Sequence, residues 1–171
     1  MRKTILILTI LLTSASLSAN GFVTQFINKY GEEDRPLTNV NIGKTMLDKM
    51  AANTVDEELK NAFRELKSIR IVSSENAKDS RYYFEKANEL VKEEFSDYEE
   101  MVSVNERSSR VSVWMKRGDK NVQELILILL DEESHLSIIT VSGKIDLETI
   151  AKLSGTLKNE PTLTEEKPEN K

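Results

Sequence analysis

The chain has 171 residues, 39% of them hydrophobic and 31% charged, so it is long enough to bury a core and has the composition of a folded protein. Its 24 basic and 29 acidic residues give a net charge of −5, which argues against a nucleic-acid partner. The sequence has no cysteine, which excludes disulfides, thiolate metal sites, thiol nucleophiles and a thioether-linked lipid.

Residues 1–19 have the pattern of a cleavable secretory signal peptide. A short basic start precedes a run of apolar residues and threonine at residues 4–12, which small and polar residues follow. That run is far shorter than the roughly 20 residues of a membrane-spanning helix, so we expect cleavage after Ser18 or Ala19 and no stable membrane anchor afterwards. Asn20 stands where a lipoprotein carries its lipidated cysteine. The sequence therefore predicts a soluble exported protein without a lipid anchor, with the periplasm favoured over the extracellular space.

Residues 20–157 are predicted to form a single domain, because no repeat and no Pro- or Gly-rich linker divides them. Residues 158–171 differ in composition, since they contain two of the three prolines and only one large apolar side chain. This composition predicts a disordered acidic tail.

Up to residue 95, apolar residues recur mainly at helical spacing, which predicts helices separated by short strands. The first helix places Phe22, Phe26 and Tyr30 on one face and ends before Gly31. In chain order, the next predicted elements are a short strand at Val40–Ile42, helical turns at Thr45–Ala51, a helix with Val55, Leu59, Ala62, Phe63 and Leu66 on one face, a strand at Ile69–Val72, and a helix opened by Asp79 or Ser80 as its N-cap.

From residue 99 the hydrophobic period changes to two, which predicts strands. The four predicted strands are 99–105, 110–116, 122–130 and 136–142. Polar links of hairpin length join them, so we expect an antiparallel meander. The third strand does not alternate over Leu125–Leu130, which indicates a central strand that is covered on both faces.

The last predicted element is a helix capped by Asp146, whose apolar side contains Ile150, Ala151, Leu153 and Leu157. Helices, then a run of strands, then a helix are typical of an α+β fold. We predict an antiparallel β-meander of about four strands, with one or two further short strands and with helices packed against the sheet.

The sequence contains no convincing catalytic or metal motif. Residues 43–45 read Gly-Lys-Thr like the end of a phosphate-binding loop, but Thr38 stands where that loop needs its first glycine. His135 is the only histidine, and no nucleophile-elbow motif accompanies it. The acidic groups at 97–100 and 131–133 lack the spacing of a calcium loop. We therefore predict no catalytic residue, no metal site and no cofactor.

Trp114 is the strongest candidate for a binding residue. In a strand it shares one face with Ser112 and Lys116. One interpretation is an aromatic anchor for a protein or a small apolar ligand, flanked by Arg110 and Lys116. The other is a tryptophan that covers a smaller apolar cluster under the helices. Both interpretations remain open from the sequence.

Several segments resemble a known family. They are Val40–Leu47, Ile69–Val72, Tyr98–Val104, Val122–Leu127 and Ile138–Leu147. This order resembles the domain-of-unknown-function family 4252 of Bacteroidetes over nearly the whole mature domain. The resemblance implies a small protein of a Gram-negative envelope, often a lipoprotein, with no established activity and no catalytic residues to transfer. It also implies a turn at Gly143 and a helix cap at Asp146.

These observations favour a non-catalytic binding or interaction module of the cell envelope. A carboxylate-dependent envelope hydrolase is one alternative, because the chain has a single histidine and no cysteine. A regulatory protein of envelope signalling is another. Convergent carboxylates in a cleft would favour the hydrolase.

Overall fold

The part of the chain that the computed structural model describes, residues 21–106, 109–118 and 121–145, forms four helices and six strands. In chain order they are α1 (Phe22–Tyr30), β1 (Thr38–Gly43), α2 (Lys44–Asn53), α3 (Glu57–Glu65), β2 (Leu66–Ser74), α4 (Ala77–Glu94), β3 (Tyr98–Asn105), β4 (Arg110–Arg117), β5 (Val122–Leu130) and β6 (Leu136–Ile145).

The strands form one antiparallel sheet in the order β1-β2-β6-β5-β4-β3. The strands β3 to β6 are neighbours both in sequence and in the sheet, so the predicted meander and the α+β fold class are confirmed. The structure differs from the prediction at β2. The sequence predicted a short strand at Ile69–Val72, whereas β2 has nine residues and lies between β1 and β6. It is a full member of the sheet, because β6 pairs with it along most of its length.

The helices cover both faces of the sheet. On one face, here called the α1/α4 face, Phe26 of α1 and Tyr83 of α4 pack over strand residues that include Ile126 and Ile138. On the other, the α2/α3 face, Leu47 of α2 and Phe63 of α3 pack over strand residues of a second cluster. The central position of β5 is confirmed, since its alternate residues contribute to both clusters.

Local side-chain bonds decide where α3 and α4 begin. The carboxylate of Asp56 accepts hydrogen bonds from the backbone N–H groups of residues 58 and 59, so α3 begins at Glu57. Val55 lies before that start and is 98% exposed, so its predicted place on the apolar helix face was wrong.

The predicted caps of α4 were also wrong. Asn76 is the N-cap, and its side-chain oxygen accepts hydrogen bonds from the backbone N–H groups of Lys78 and Asp79. Ser80 lies inside the helix and is fully buried. Its hydroxyl donates to the carbonyl oxygen of Ser74 at 2.8 Å, which ties the start of α4 to the end of β2.

Gly143 does not form the expected turn. It lies inside β6 with φ +137°, where the pairing between β2 and β6 shifts register near Leu66. A Cβ atom there would lie 2.6 Å from the carbonyl oxygen of Glu65. Glycine is therefore required by close backbone approach and by its φ angle rather than by a chain reversal.

Three predictions fall outside the described residues: the signal peptide at 1–19, the last helix at 146–157 and the acidic tail at 158–171. The expected helix cap at Asp146 is part of the second of these segments. Within the described ranges, none of the helices combines the length and the apolar character needed to cross a membrane.

Candidate functional site

A cavity of about 970 Å³ opens on the α1/α4 face, beside the first turn of α1. Its floor is formed by the end of the sheet where β2 and β5 begin and β6 ends. Phe22 and Val23 of α1 form part of its wall.

The cavity lies where the inward residues of the strands change from apolar to polar, one inward position earlier on β2 and β6 than on β5 and β4. On the α1/α4 face, apolar Val72, Ile138, Ile126 and Trp114 belong to the core, one on each of β2, β6, β5 and β4. On each of these strands, the residue two positions nearer to the cavity end of the sheet points to the same face and is polar. These residues are Arg70, Thr140, Glu124 and Lys116. All four of these polar residues line the cavity.

Strand pairing aligns one polar row across the cavity floor. The register pairs Ser68 with Ser142, Ser142 with Glu124, Glu124 with Lys116 and Lys116 with Tyr98. Directly paired residues project from the same face about 5 Å apart, so five polar side chains from five strands lie side by side.

Hydrogen bonds within this row hold four of its five members. The hydroxyl oxygens of Ser68 and Ser142 lie 2.7 Å apart. The phenol of Tyr98 donates to the carboxylate of Glu124. These bonds leave oxygen atoms and a carboxylate in fixed positions at the cavity floor.

Lys116 lies between these groups and keeps its charge. Its ammonium lies 2.6 Å from the carboxylate of Asp97, and this hydrogen bond raises the pKa of Lys116. The same ammonium lies 5.9 Å from the centre of the Tyr98 ring. The lysine is therefore a permanent cation beside the polar row.

Arg70 is the most unusual side chain of the cavity. One terminal nitrogen donates to the hydroxyl of Thr24 in α1 at 2.7 Å. Its Nε is buried and has no hydrogen-bond acceptor among the described residues, and none of their carboxylates lies within ion-pair distance of the guanidinium. A half-buried guanidinium without an anionic partner is costly, because buried charges are normally paired.

The lining of the cavity is locally cationic, although the chain as a whole carries a net charge of −5. Four cationic side chains line it, namely Lys67, Arg70, Lys116 and Lys144, against the carboxylates of Glu65 and Glu124. Glu65 and Lys144 bind each other at 2.8 Å, and Lys116 binds Asp97 at 2.6 Å. The first turn of α1, which has no side-chain cap and no acidic residue, adds backbone N–H groups to the same wall.

The three predicted site residues lie on this sheet face but do not form one site. Lys116 lines the cavity. Trp114 is only 5% exposed beneath α4, and its indole N–H donates to the side-chain oxygen of Asn88 at 3.2 Å. Arg110 lies at the far end of β4, where it binds Glu85 at 2.5 Å. Trp114 is covered by the helices, as in the second interpretation, but it belongs to the larger of the two core clusters rather than to a smaller one.

Sequence reasoning missed Arg70, Glu124 and Tyr98. A signal was present, since Arg70 interrupts the apolar strand Ile69–Val72 and Glu124 precedes the longest apolar run of the chain. Both look like ordinary solvent-facing strand positions until the pairing of β2, β5 and β6 places them on adjacent levels of one face.

His135 lies in the hairpin between β5 and β6, where its Nδ1 is 3.4 Å from the carboxylate of Asp131. Its side chain is 38% exposed. No group of three or more His, Asp or Glu side chains suited to hold a metal ion occurs within residues 21–106, 109–118 and 121–145.

We expect the free energy of unfolding to fall at alkaline pH because of the ionisation of Tyr98. Burial, followed by the hydrogen bond to Glu124, raises the pKa of Tyr98 above its ordinary value of 10.0. The pKa of Tyr98 is higher in the folded chain than in the unfolded chain. The stability that the protonated Tyr98 contributes is therefore complete below pH 10.0 and is lost as the pH rises through the folded pKa. One such group changes the free energy of unfolding by at most about 1.4 kcal/mol per pH unit.

The measurement is urea unfolding between neutral pH and about pH 11, above the ordinary tyrosine pKa. Tyr98→Phe should reduce the decline in stability above pH 10.0, which is the ordinary pKa of the group. Part of the decline should remain in Tyr98→Phe, because the pKa of Lys116 is also raised in the folded chain. The same slope in the wild type and in Tyr98→Phe would contradict the assignment.

The comparisons with known proteins identify the family. A family model described as a domain of unknown function, DUF4252, matches residues 30–153, and the chain belongs to this family. No curated protein and no solved structure matches the chain. The matched residues contain every strand of the cavity floor, whereas the first turn of α1 precedes them.

Proposed function

We propose that this protein is an exported, non-catalytic binding module that holds a small anionic ligand in the cavity on its α1/α4 face. The pattern at residues 1–19 supports export, with the periplasm favoured. The observation that carries the binding proposal is Arg70, whose buried Nε lacks an acceptor among the described residues at the wall of a polar cavity.

An anion fits this cavity better than an apolar ligand does. Arg70 lines the cavity, and guanidinium groups bind carboxylates and phosphates through charge-assisted hydrogen bonds. Lys116 supplies a second positive charge, and the hydroxyl groups of Ser68, Ser142 and Thr140 can bind further oxygen atoms of the ligand. The cavity volume of about 970 Å³ is that of a small-molecule site.

The earlier expectation of a protein or a small apolar ligand at Trp114 stays a prediction, but the polar lining favours another ligand chemistry. Trp114 itself is buried, so it is better suited to support the cavity floor than to contact a partner. Of the predicted residues, Lys116 remains a binding residue in this proposal.

A carboxylate-dependent hydrolase is the second candidate, because Glu65 and Glu124 line the same cavity. Each of them already has a partner, since Lys144 binds Glu65 and the Tyr98 phenol donates to Glu124. A general acid or base needs access to the reacting atom, and these partners compete for that position. The geometry therefore favours binding over hydrolysis.

The test compares the wild type with Arg70→Gln and with Arg81→Gln as the matched control. Arg81 is exposed on α4 and binds Ser134, away from the cavity lining. Isothermal titration with inorganic phosphate and with succinate separates phosphate from carboxylate recognition. Loss of charged hydrogen bonds should weaken binding in Arg70→Gln by about 10- to 150-fold, while Arg81→Gln binds like the wild type.

Two results would overturn the proposal. One is equal affinity of the wild type and Arg70→Gln for the anion that binds. The other is that neither anion binds and that protein purified from the envelope fraction of its host carries no excess mass in native mass spectrometry. The same mass spectrum tests export, because the expected mature chain begins within a residue or two of Asn20.

A further inference from the structure

The charged side chains that line the cavity neutralise one another only in part. Glu65 binds Lys144 at 2.8 Å, and Lys116 binds Asp97 at 2.6 Å. Lys67 is exposed to solvent where the pairing between β2 and β6 shifts register. Each of these groups therefore has a charged partner or access to water.

The remaining charges of the lining are those of Arg70 and Glu124. Among the described residues, no oppositely charged group lies within ion-pair distance of either side chain. The Glu124 carboxylate accepts a hydrogen bond from the Tyr98 phenol, and an ionised carboxylate has about four acceptor positions. Glu124 can therefore accept further hydrogen bonds from a ligand that Arg70 binds at another point.

Strand pairing sets the distance between these two groups. The strand β6 lies between β2 and β5, and it pairs Thr140 with Arg70 and Ser142 with Glu124. Arg70 and Glu124 are thus two strands and one inward position apart, which places their Cα atoms about 12 Å from each other. Side chains stand roughly perpendicular to a sheet, so the two head groups are separated by about the same distance. With a hydrogen bond of about 2.9 Å at each end, the ligand groups that meet them lie about 6 Å apart.

We propose that the ligand is a zwitterion of dipeptide size, with its carboxylate bound to Arg70 and its ammonium group bound to Glu124. This inference rests on the proposed function, since the carboxylate is the anionic group that Arg70 binds. An extended dipeptide spans up to about 7 Å, whereas a single amino acid spans about half of that length. A dipeptide therefore reaches both charges, and a free α-amino acid does not.

The part of the floor between the two charges fits a peptide group. The hydroxyl groups of Thr140 and Ser142 lie there, and a hydroxyl can donate to a carbonyl oxygen or accept from an amide N–H. Phe22 and Val23 form an apolar part of the wall, against which side chains of the ligand can pack. The cavity volume of about 970 Å³ is in the range of small-molecule sites and is much more than an inorganic anion fills.

Four ligands test the inference by isothermal titration of the full mature chain at about pH 6, where an α-amino group is protonated. Glycylglycine is the zwitterion. N-acetylglycine has the same chain without the ammonium group, malonylglycine has a carboxylate in its place, and glycine holds its two charges too close together. N-acetylglycine therefore isolates the contribution of the ammonium group.

The test variant is Glu124→Gln, whose amide oxygen can still accept the hydrogen bond of the Tyr98 phenol. The matched control is Glu99→Gln. Glu99 is exposed on β3, binds Arg117 at 3.2 Å and does not line the cavity. Both variants remove one carboxylate, but only the first removes it from the cavity floor.

The wild type should bind glycylglycine about tenfold or more tightly than N-acetylglycine, because the ammonium group adds a charged hydrogen bond to Glu124. Glycine should lose a similar factor, since it cannot reach both charged groups. Glu124→Gln should abolish the preference for glycylglycine over N-acetylglycine and should bind malonylglycine more tightly than the wild type does, because a repulsive carboxylate is removed. Glu99→Gln should keep the preference of the wild type.

Four results would overturn the inference. They are equal affinity of the wild type for glycylglycine and N-acetylglycine, tighter binding of malonylglycine than of glycylglycine by the wild type, an unchanged preference in Glu124→Gln, and no binding of any of the four ligands. The first two comparisons use the wild type alone, so they stay valid if Glu124→Gln fails to fold.

Failure of this inference is distinguishable from failure of the proposed function. If Arg70→Gln weakens the binding of phosphate or succinate while glycylglycine has no advantage over N-acetylglycine, the anion site stands and only the zwitterion is excluded. Equal binding of those anions by the wild type and Arg70→Gln would instead remove the anion site itself.

Discussion

Replacing Gly143 by alanine is expected to lower the free energy of unfolding by about 3 kcal/mol or more. Two physical causes act together at this position. The φ angle of +137° is strained for any residue with a Cβ atom, at about 1 to 3 kcal/mol. The new Cβ would also lie 2.6 Å from the carbonyl oxygen of Glu65 and 2.7 Å from the Cα of Leu66. Overpacking against backbone adds about 1 to 3 kcal/mol, because backbone cannot move aside as a flexible side chain can.

Gly43→Ala is the matched control for this substitution. Gly43 has φ −86°, and no atom lies within 4 Å of a Cβ built on it. Its loss as the N-cap of α2 should change stability by less than about 1 kcal/mol. Urea unfolding of both variants and the wild type measures the difference. A loss below about 1 kcal/mol in Gly143→Ala would contradict the prediction, because it would mean that the backbone where α3 meets β2 shifts at little cost.

Replacing Phe26 by alanine should lower the free energy of unfolding by about 3 to 5 kcal/mol, the usual range for a fully buried phenylalanine. Phe26 is 0% exposed, and its ring centre lies 5.8 Å from that of Tyr83 in α4 and 5.9 Å from that of Phe22. It is a main anchor of α1 on the rest of the fold. The remaining polar links of α1 to α4, from Gln25 and Lys29 to Glu94, are solvent-exposed and contribute little.

Val55→Ala is the control for this prediction, since Val55 is 98% exposed and its truncation should change stability by no more than about 0.5 kcal/mol. Because Phe22 and Val23 of α1 form a wall of the cavity, Phe26→Ala should also weaken anion binding there. Chemical unfolding and titration with the bound anion measure the two effects. A stability loss below about 1 kcal/mol would show that α1 is not an integral part of the core.

Most of the fold could be predicted from the sequence, because its signals are local. The change in hydrophobic period near residue 99 marks where helices give way to the meander, and the non-alternating run Leu125–Leu130 identifies a central strand. Errors arose where two local signals competed. Asn76 lies only a few residues before Asp79 and Ser80, and all three residue types favour an N-cap. Only the hydrogen bonds formed in the folded chain show which of the three residues is the N-cap.

The cavity could not be predicted in the same way. Arg70 and Glu124 are 54 positions apart in the chain and lie on different strands, with β6 between them. Each is unremarkable within its own strand, since an isolated strand does not show which of its faces will be covered by a helix. Gly143 illustrates the same limit: its position after an apolar strand suggested a turn, whereas its need for glycine comes from the backbone at Glu65 and Leu66.

The sequence by itself determined the helices and strands, the α+β class and the family, because hydrophobic periodicity and residue order are properties of neighbouring residues. Only the tertiary structure decided that β2 pairs with β6, that Trp114 is buried beneath α4, and that Arg70 meets a polar row on the floor of a cavity. The physical reason is that strand register, and with it the set of side chains that share a level of one face, is set by contacts between distant segments.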